Sequence, residues 1–156
     1  MQITDLEIQQ ARQWASSAFT EATPPFSFVY DGQPSGDLLP GWRCEQASRA
    51  LDDHRDEVTL TWTDPASGLS VRCVAVIYRN FPAVEWTVYF RNTGTTDTPI
   101  LQEIQGMDTQ FTRAADGEFL LHHYTGDYCS AEGYAPHTVR LTPGMQQRFA
   151  PEGGRA

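Results

Sequence analysis

The chain has 156 residues, 40% of them hydrophobic, with four Trp, six Tyr and eight Phe. That is enough apolar material for one domain with its own core, and it excludes a chain disordered in bulk. A formal net charge of −9 and a pI of about 4.7 make nucleic acid and anionic membranes poor partners, while a neutral ligand such as a sugar is not repelled.

Thr4 to about Thr20 is predicted as a helix. Thr4 and Glu7 have capping-box spacing, and Leu6, Ala11, Trp14, Ala15, Ala18 and Phe19 fall near a helical period. Pro24-Pro25 ends it. Phe26 to Tyr30, FSFVY, reads as a short strand. Residues 31–37, DGQPSGD, are dense in turn formers and read as a loop. Leu38 to Trp42 follows as an apolar patch in a loop setting. Trp42 to Leu51 reads as a polar strand with Cys44, Asp52 to Asp56 as a charged turn, and Glu57 to Thr63, EVTLTWT, as a cleanly alternating strand. DPASG, residues 64–68, is a hairpin connection ending in glycine.

Residues 70–92 carry the strongest pattern. Val71, Cys73, Ala75 and Ile77 alternate with Arg72, Val74, Val76 and Tyr78. After Phe81-Pro82, Val84, Trp86, Val88 and Phe90 alternate with Glu85, Thr87, Tyr89 and Arg91. Period-2 alternation of β-branched and aromatic residues predicts an antiparallel pair at the centre of a sheet, one face on a core and one nearer to water. Further strands are predicted over Pro99 to Asp108, Glu118 to Tyr124, Val139 to Leu141 and Gln146 to Phe149, with a long irregular loop over 125–136. Short strands separated by turn signals argue an all-β fold, a β-sandwich of mostly antiparallel strands with one short N-terminal helix. The expected division is a helical lead-in, 1–23, and a sandwich domain, 24–156.

No run approaches the ~18 apolar residues of a membrane-spanning helix, and the opening MQITDLEIQQ lacks the basic-then-apolar order of a signal peptide. Cys44, Cys73 and Cys129 are odd in number and widely spaced. They argue against a disulfide framework or a zinc site and for a reducing, cytoplasmic setting. Cys73, on the apolar side of its strand, reads as a small buried hydrophobe.

Residues that could carry chemistry are few. Asp52, Asp53, His54 and Asp56 are near-consecutive, so strand neighbours point apart and a solvated turn is the better reading than a metal site. His122 and His123 are adjacent, and only one can face a given site. Cys129, His122 or His123, and Asp127 have the residue types of a nucleophile, base and orienter, but without a local signature. Glu85, Glu103, Asp108, Glu118 and Glu132 are carboxylates that any acidic protein would have. No phosphate-binding loop, dinucleotide fingerprint or nucleophile elbow is present. The expectation is no catalytic residue, no metal and no cofactor. Tyr124, Tyr128 and Tyr134, with His122 and Asp127, form a polar-tipped aromatic set suited to stacking on a sugar; the alternative is that they cover one end of the sandwich.

Three phrases, PPFSFVYDGQPSGDLLPGW (24–42), TLTWTDPASGLSVRCVAVIYRNFPAVEWTVYFRNTGTTDTPIL (59–101) and LTPGMQQRFAPEGGR (141–155), resemble the N-terminal domain of bacterial α-galactosidase-like enzymes of glycoside hydrolase family 36. The resemblance implies a β-supersandwich that precedes a (β/α)-barrel bearing the catalytic aspartates. The chain contains no barrel, so no catalytic residue is carried over. It also implies a loop that approaches the active site, with 31–42, including Trp42, as first candidate and 124–134 as second. The implied partners are the barrel, a galactoside and a further copy of the chain. An apolar patch around Leu38, Leu39, Trp42 and Trp14 is expected to be exposed for such a partner. A stand-alone carbohydrate-binding module and a compact hydrolase are the rival readings.

Overall fold

In the computed structural model, which describes residues 3–112, 117–126 and 131–149, the regular structure is mostly strand, arranged in three antiparallel sheets with one N-terminal helix of any length. It divides into two units, Met1–Thr109 and Gln110–Ala156.

The first unit begins with helix α1 (Asp5–Ala18). Its N-terminus is closed as the spacing predicts: the Glu7 N–H donates to the Thr4 hydroxyl at 3.3 Å and the Glu7 carboxylate accepts from the Thr4 N–H at 2.8 Å. The strands are β1 (Ser27–Tyr30), β2 (Gln33–Pro34), β3 (Arg43–Ala50), β4 (Arg55–Thr63), β5 (Leu69–Tyr78), β6 (Val84–Asn92) and β7 (Leu101–Gln105). A four-stranded sheet has the order β3-β4-β5-β6 and a three-stranded sheet the order β2-β1-β7.

The register of the larger sheet follows the alternation read from the sequence. Val71 pairs with Phe90, Cys73 with Val88, Ala75 with Trp86 and Ile77 with Val84, so both apolar sets share one face. Leu60 and Trp62 of β4 join that face opposite Cys73 and Val71. Leu60, Trp62, Val71, Cys73 and Ala75 are all buried. Two layers cover them. Near Trp86, α1 lays down Trp14 and Phe19, whose rings lie 5.8 and 5.6 Å from the Trp86 ring. Near Trp62 and Phe90, β1 and the residue before it supply Phe28 and Phe26, at 5.3 Å from Phe90 and 5.8 Å from Trp62. This is a sheet-on-sheet sandwich whose second layer is completed by a helix.

Several expectations change. Strand β6 is an edge of its sheet, not its centre, because the next strand, β7, crosses to the smaller sheet and pairs with β1. Strand β7 spans only Leu101–Gln105 and is bulged: its register against β1 slips between Ser27 and Val29, and Glu103 adopts φ 48°. Residues 31–37 are more ordered than a loop. Asp31 and Gly32, at φ 52° and 73°, make a tight turn between β1 and β2. Helix α2 (Ser35–Leu38) and a 3₁₀ turn (Leu39–Gly41) follow. The Ser35 hydroxyl accepts the Phe28 N–H at 3.2 Å and anchors this short helix to β1.

That anchoring overturns the exposed apolar patch. Leu39 and Trp42 are only 2% and 7% exposed, and Leu38 and Trp14 pack against the core. The helical turn points Leu38, Leu39 and Trp42 inward, as α1 does Trp14, and burial of a large apolar side chain stabilises by about 2 kcal/mol. Helix α1 joins this same core through Ala15, Ala18 and Phe19.

In the second unit, β8 (Phe119–His123) pairs with β9 (His137–Leu141), and a 3₁₀ turn occupies Ala131–Tyr134. Residues 146–149 are not a strand.

Trp62 is completely buried, and its indole N–H has no acceptor among the described residues. Trp62→Ala is therefore expected to lower stability by about 3–5 kcal/mol through loss of volume. Trp62→Phe, which removes the unpaired donor together with part of the ring, should cost less than half of that. Urea unfolding of both variants measures the difference.

Candidate functional site

Loops from both sheets meet at one end of the first unit and enclose a cleft of about 350 Å³. Tyr30, Asp31 and Gln33 come from the β1–β2 hairpin, and Leu38 and Trp42 from the helical turn that follows. Asp64, Ala66 and Ser67 come from the β4–β5 connection, and Thr96, Asp97 and Pro99 from the segment between β6 and β7.

The floor is a hydrogen-bonded cluster. Asp64 is 8% exposed. Its carboxylate accepts the Ala66 N–H at 3.0 Å, the Ser67 N–H at 3.1 Å and the Ser67 hydroxyl. Ser67 Oγ accepts the Leu69 N–H at 3.2 Å and lies 2.6 Å from the Tyr30 hydroxyl. Because the single Ser67 proton is directed at Asp64, Tyr30 is the donor in that pair. Burial alone would raise the Asp64 pKa, but the bonds from Ser67, Ala66 and Tyr30 together outweigh it and hold the carboxyl below its ordinary value of 3.8. Asp64 is thus a fixed, ionised acceptor that joins β4–β5 to β1. It is not suited to give up and recover a proton near neutrality.

The two long loops are joined backbone to backbone. The Thr93 N–H and hydroxyl donate to the Gly68 carbonyl at 3.0 and 2.7 Å. Gly68 has φ 77°, and a Cβ on it would come within 2.8 Å of the Gly94 nitrogen. A Cβ on Gly94 would in turn collide with the Ser67 carbonyl. Only two glycines allow this approach.

The walls differ in character. Tyr30 and Trp42 meet edge to face at 5.8 Å and 88° and offer an aromatic side. Asp31 and Asp97 are exposed carboxylates at the rim. Aromatic carbon on one side and hydroxyl acceptors on the other suit a small, neutral, hydroxyl-rich ligand.

The sequence-predicted site residues are distributed between the units. Trp42 lines the cleft, but as a mostly buried core residue and not as an open stacking platform. His122, Tyr124 and Tyr134 belong to the second unit. Tyr124 and Tyr134 are 62% and 64% exposed, and His122 Nδ1 lies 3.0 Å from the Thr138 hydroxyl. Asp127, Tyr128 and Cys129 lie outside the described residues. Of the loop 31–42, the part that reaches the cleft is Asp31, Gln33, Leu38 and Trp42.

Sequence reasoning missed Tyr30, Asp64, Ser67 and Asp97. A signal existed for one pair: an Asp three residues before a Ser in a turn is the pattern of a side chain that folds back on its own loop.

The charged turn is committed to arginines. Asp52 accepts from Arg55 at 2.8 Å and from the His54 N–H at 2.8 Å, and Asp56 pairs with Arg79. The Arg79 contact holds the Asp56 carboxyl below its ordinary range. Cys73 is buried, which pushes its thiol up to about 12 and leaves it unreactive.

Protein-family models, curated proteins and solved structures were each compared with the chain, and none matches.

Two outcomes test the cleft floor. Asp64→Asn should destabilise the protein by about 1–3 kcal/mol at pH 7, since an amide cannot accept all three donors. A carboxyl held low contributes stability above pH 3.8 that is lost as pH falls through its folded value. The gap between wild type and variant should therefore shrink in urea titrations near pH 3. Gly94→Ala should separate the two loops and cost about 1–3 kcal/mol by the same measurement.

Proposed function

We propose that this chain is a non-catalytic β-sandwich module of an α-galactosidase-like glycoside hydrolase, serving barrel packing, assembly and the substrate entrance. The cleft between Tyr30, Trp42, Asp31 and Asp97 is the part of it that meets sugar. The cleft is the observation that carries this reading: it is built by the segments 24–42 and 59–101, the same phrases in which the resemblance lies. Its one buried carboxylate is engaged in bonds to its own loop, which favours recognition over proton transfer. A galactoside would place its hydroxyls on the rim carboxylates, beside the edges that Tyr30 and Trp42 leave at the surface. Its other partners would be the catalytic barrel and a second copy of the chain.

A stand-alone carbohydrate-binding module is the second reading. The observation in its favour is that every residue lining the cleft lies within the first unit.

Calorimetric titration of the chain with galactose, melibiose and raffinose tests both readings. Weak binding is expected, with a Kd on the order of 1 mM, or about −4 kcal/mol. The combined change Asp31→Asn and Asp97→Ala should abolish it without unfolding the protein, since both side chains are exposed. No hydrolysis of p-nitrophenyl α-galactoside is expected. Turnover that follows the protein through purification would overturn the non-catalytic reading, and a silent titration of folded protein would remove the sugar from the cleft.

A further inference from the structure

The β8–β9 hairpin brings together two histidines, one from each strand. His123 and His137 are direct cross-strand partners, and their rings are stacked, with centroids 5.3 Å apart and planes at 21°. They end a row of cross-strand pairs, Phe119 with Leu141 and Leu121 with Val139, on one face of the hairpin. The Phe149 ring lies 4.4 Å from His123 and backs the pair. His122 belongs to the opposite face with Thr138.

We propose that His123 and His137 form a two-imidazole chelate for a late first-row divalent transition ion, Cu(II) before Ni(II) or Zn(II). Directly opposed strand residues have Cβ atoms about 5 Å apart. From there, rotation of each ring brings one nitrogen of each within about 2 Å of a shared ion. The rings already lie side by side, so the pair needs only that rotation and no movement of the strands. Neutral imidazole is a borderline ligand that suits Cu(II), Ni(II) and Zn(II), and at a given nitrogen site Cu(II) binds most strongly. Water completes the coordination on the exposed His137 side. Phe149, against the His123 ring, limits how far that ring can turn away.

Calorimetric titration of the full chain with Cu(II), Ni(II) and Zn(II), together with electron paramagnetic resonance of the Cu(II) form, tests the site. One equivalent of Cu(II) should bind, with nitrogen couplings from two imidazoles, and Ni(II) and Zn(II) should compete more weakly. His137→Asn should lower Cu(II) affinity by more than about tenfold, the lower end of what losing even an outer partner costs a metal site. His122→Asn should leave it unchanged. His137 is exposed, so its variant keeps the fold; His123→Asn, checked by circular dichroism, gives the second arm and should match it. Absence of binding would overturn the proposal. So would equal losses in the His122 and His137 variants, or two-imidazole couplings that persist in His137→Asn.

Discussion

Phe28 is the point on which the two layers of the first unit meet. Its ring lies 5.3 Å from Phe90 of the larger sheet and 6.4 Å from both Phe26 and Trp42, while its N–H is held by Ser35. The four-stranded sheet presents Trp62, Val71, Cys73 and Phe90 on one face, and that face has to be shielded from water. A three-stranded sheet of short strands cannot cover all of it. Helix α1 covers the remainder, with Trp14 and Phe19 gathered round Trp86. The Trp86 indole N–H donates to the Gly106 carbonyl at 2.8 Å, so the ring is fixed at its polar edge as well as by its apolar neighbours.

The loop end follows from the same packing. Because β1 sits over the larger sheet, the Tyr30 hydroxyl reaches Ser67, and the β4–β5 connection is tied to the opposite layer through one short chain of hydrogen bonds. Gly68 and Gly94 bring the next loop against it. The cleft is therefore bordered by connections that are each anchored to a strand end, and loops held in this way present side chains in fixed positions. Its aromatic side is borrowed from the core: Trp42 and Tyr30 are buried residues with an edge at the surface.

The outer face of the larger sheet is managed by pairing charge across strands. Arg49 meets Glu57 through two contacts of 2.7 and 3.2 Å, and the Arg72 guanidinium lies 4.8 Å over the Tyr89 ring. Such contacts at a solvent face add little stability singly. They let a chain of net charge −9 keep arginines and carboxylates interleaved on that face, where like charges opposite one another would oppose the pairing.

How much was legible varies with the range of the interaction. The alternation in 70–92 and in EVTLTWT specified strands and which alternate residues face the core, because a slip of one residue would carry that whole set to the solvent side. The Thr4–Glu7 cap was legible for the same reason, its partners being three residues apart. Leu39 and Trp42 were misplaced as surface. Apolar residues among Gly and Pro carry no period, and their direction depends on a serine bonding to a strand seven residues earlier. The departure of β7 to the smaller sheet and the cleft shared by Tyr30, Asp64 and Asp97 were likewise decided by tertiary structure alone. Each joins segments far apart in the chain, and their meeting is settled by which surfaces must be buried together, a condition that no local stretch of sequence contains.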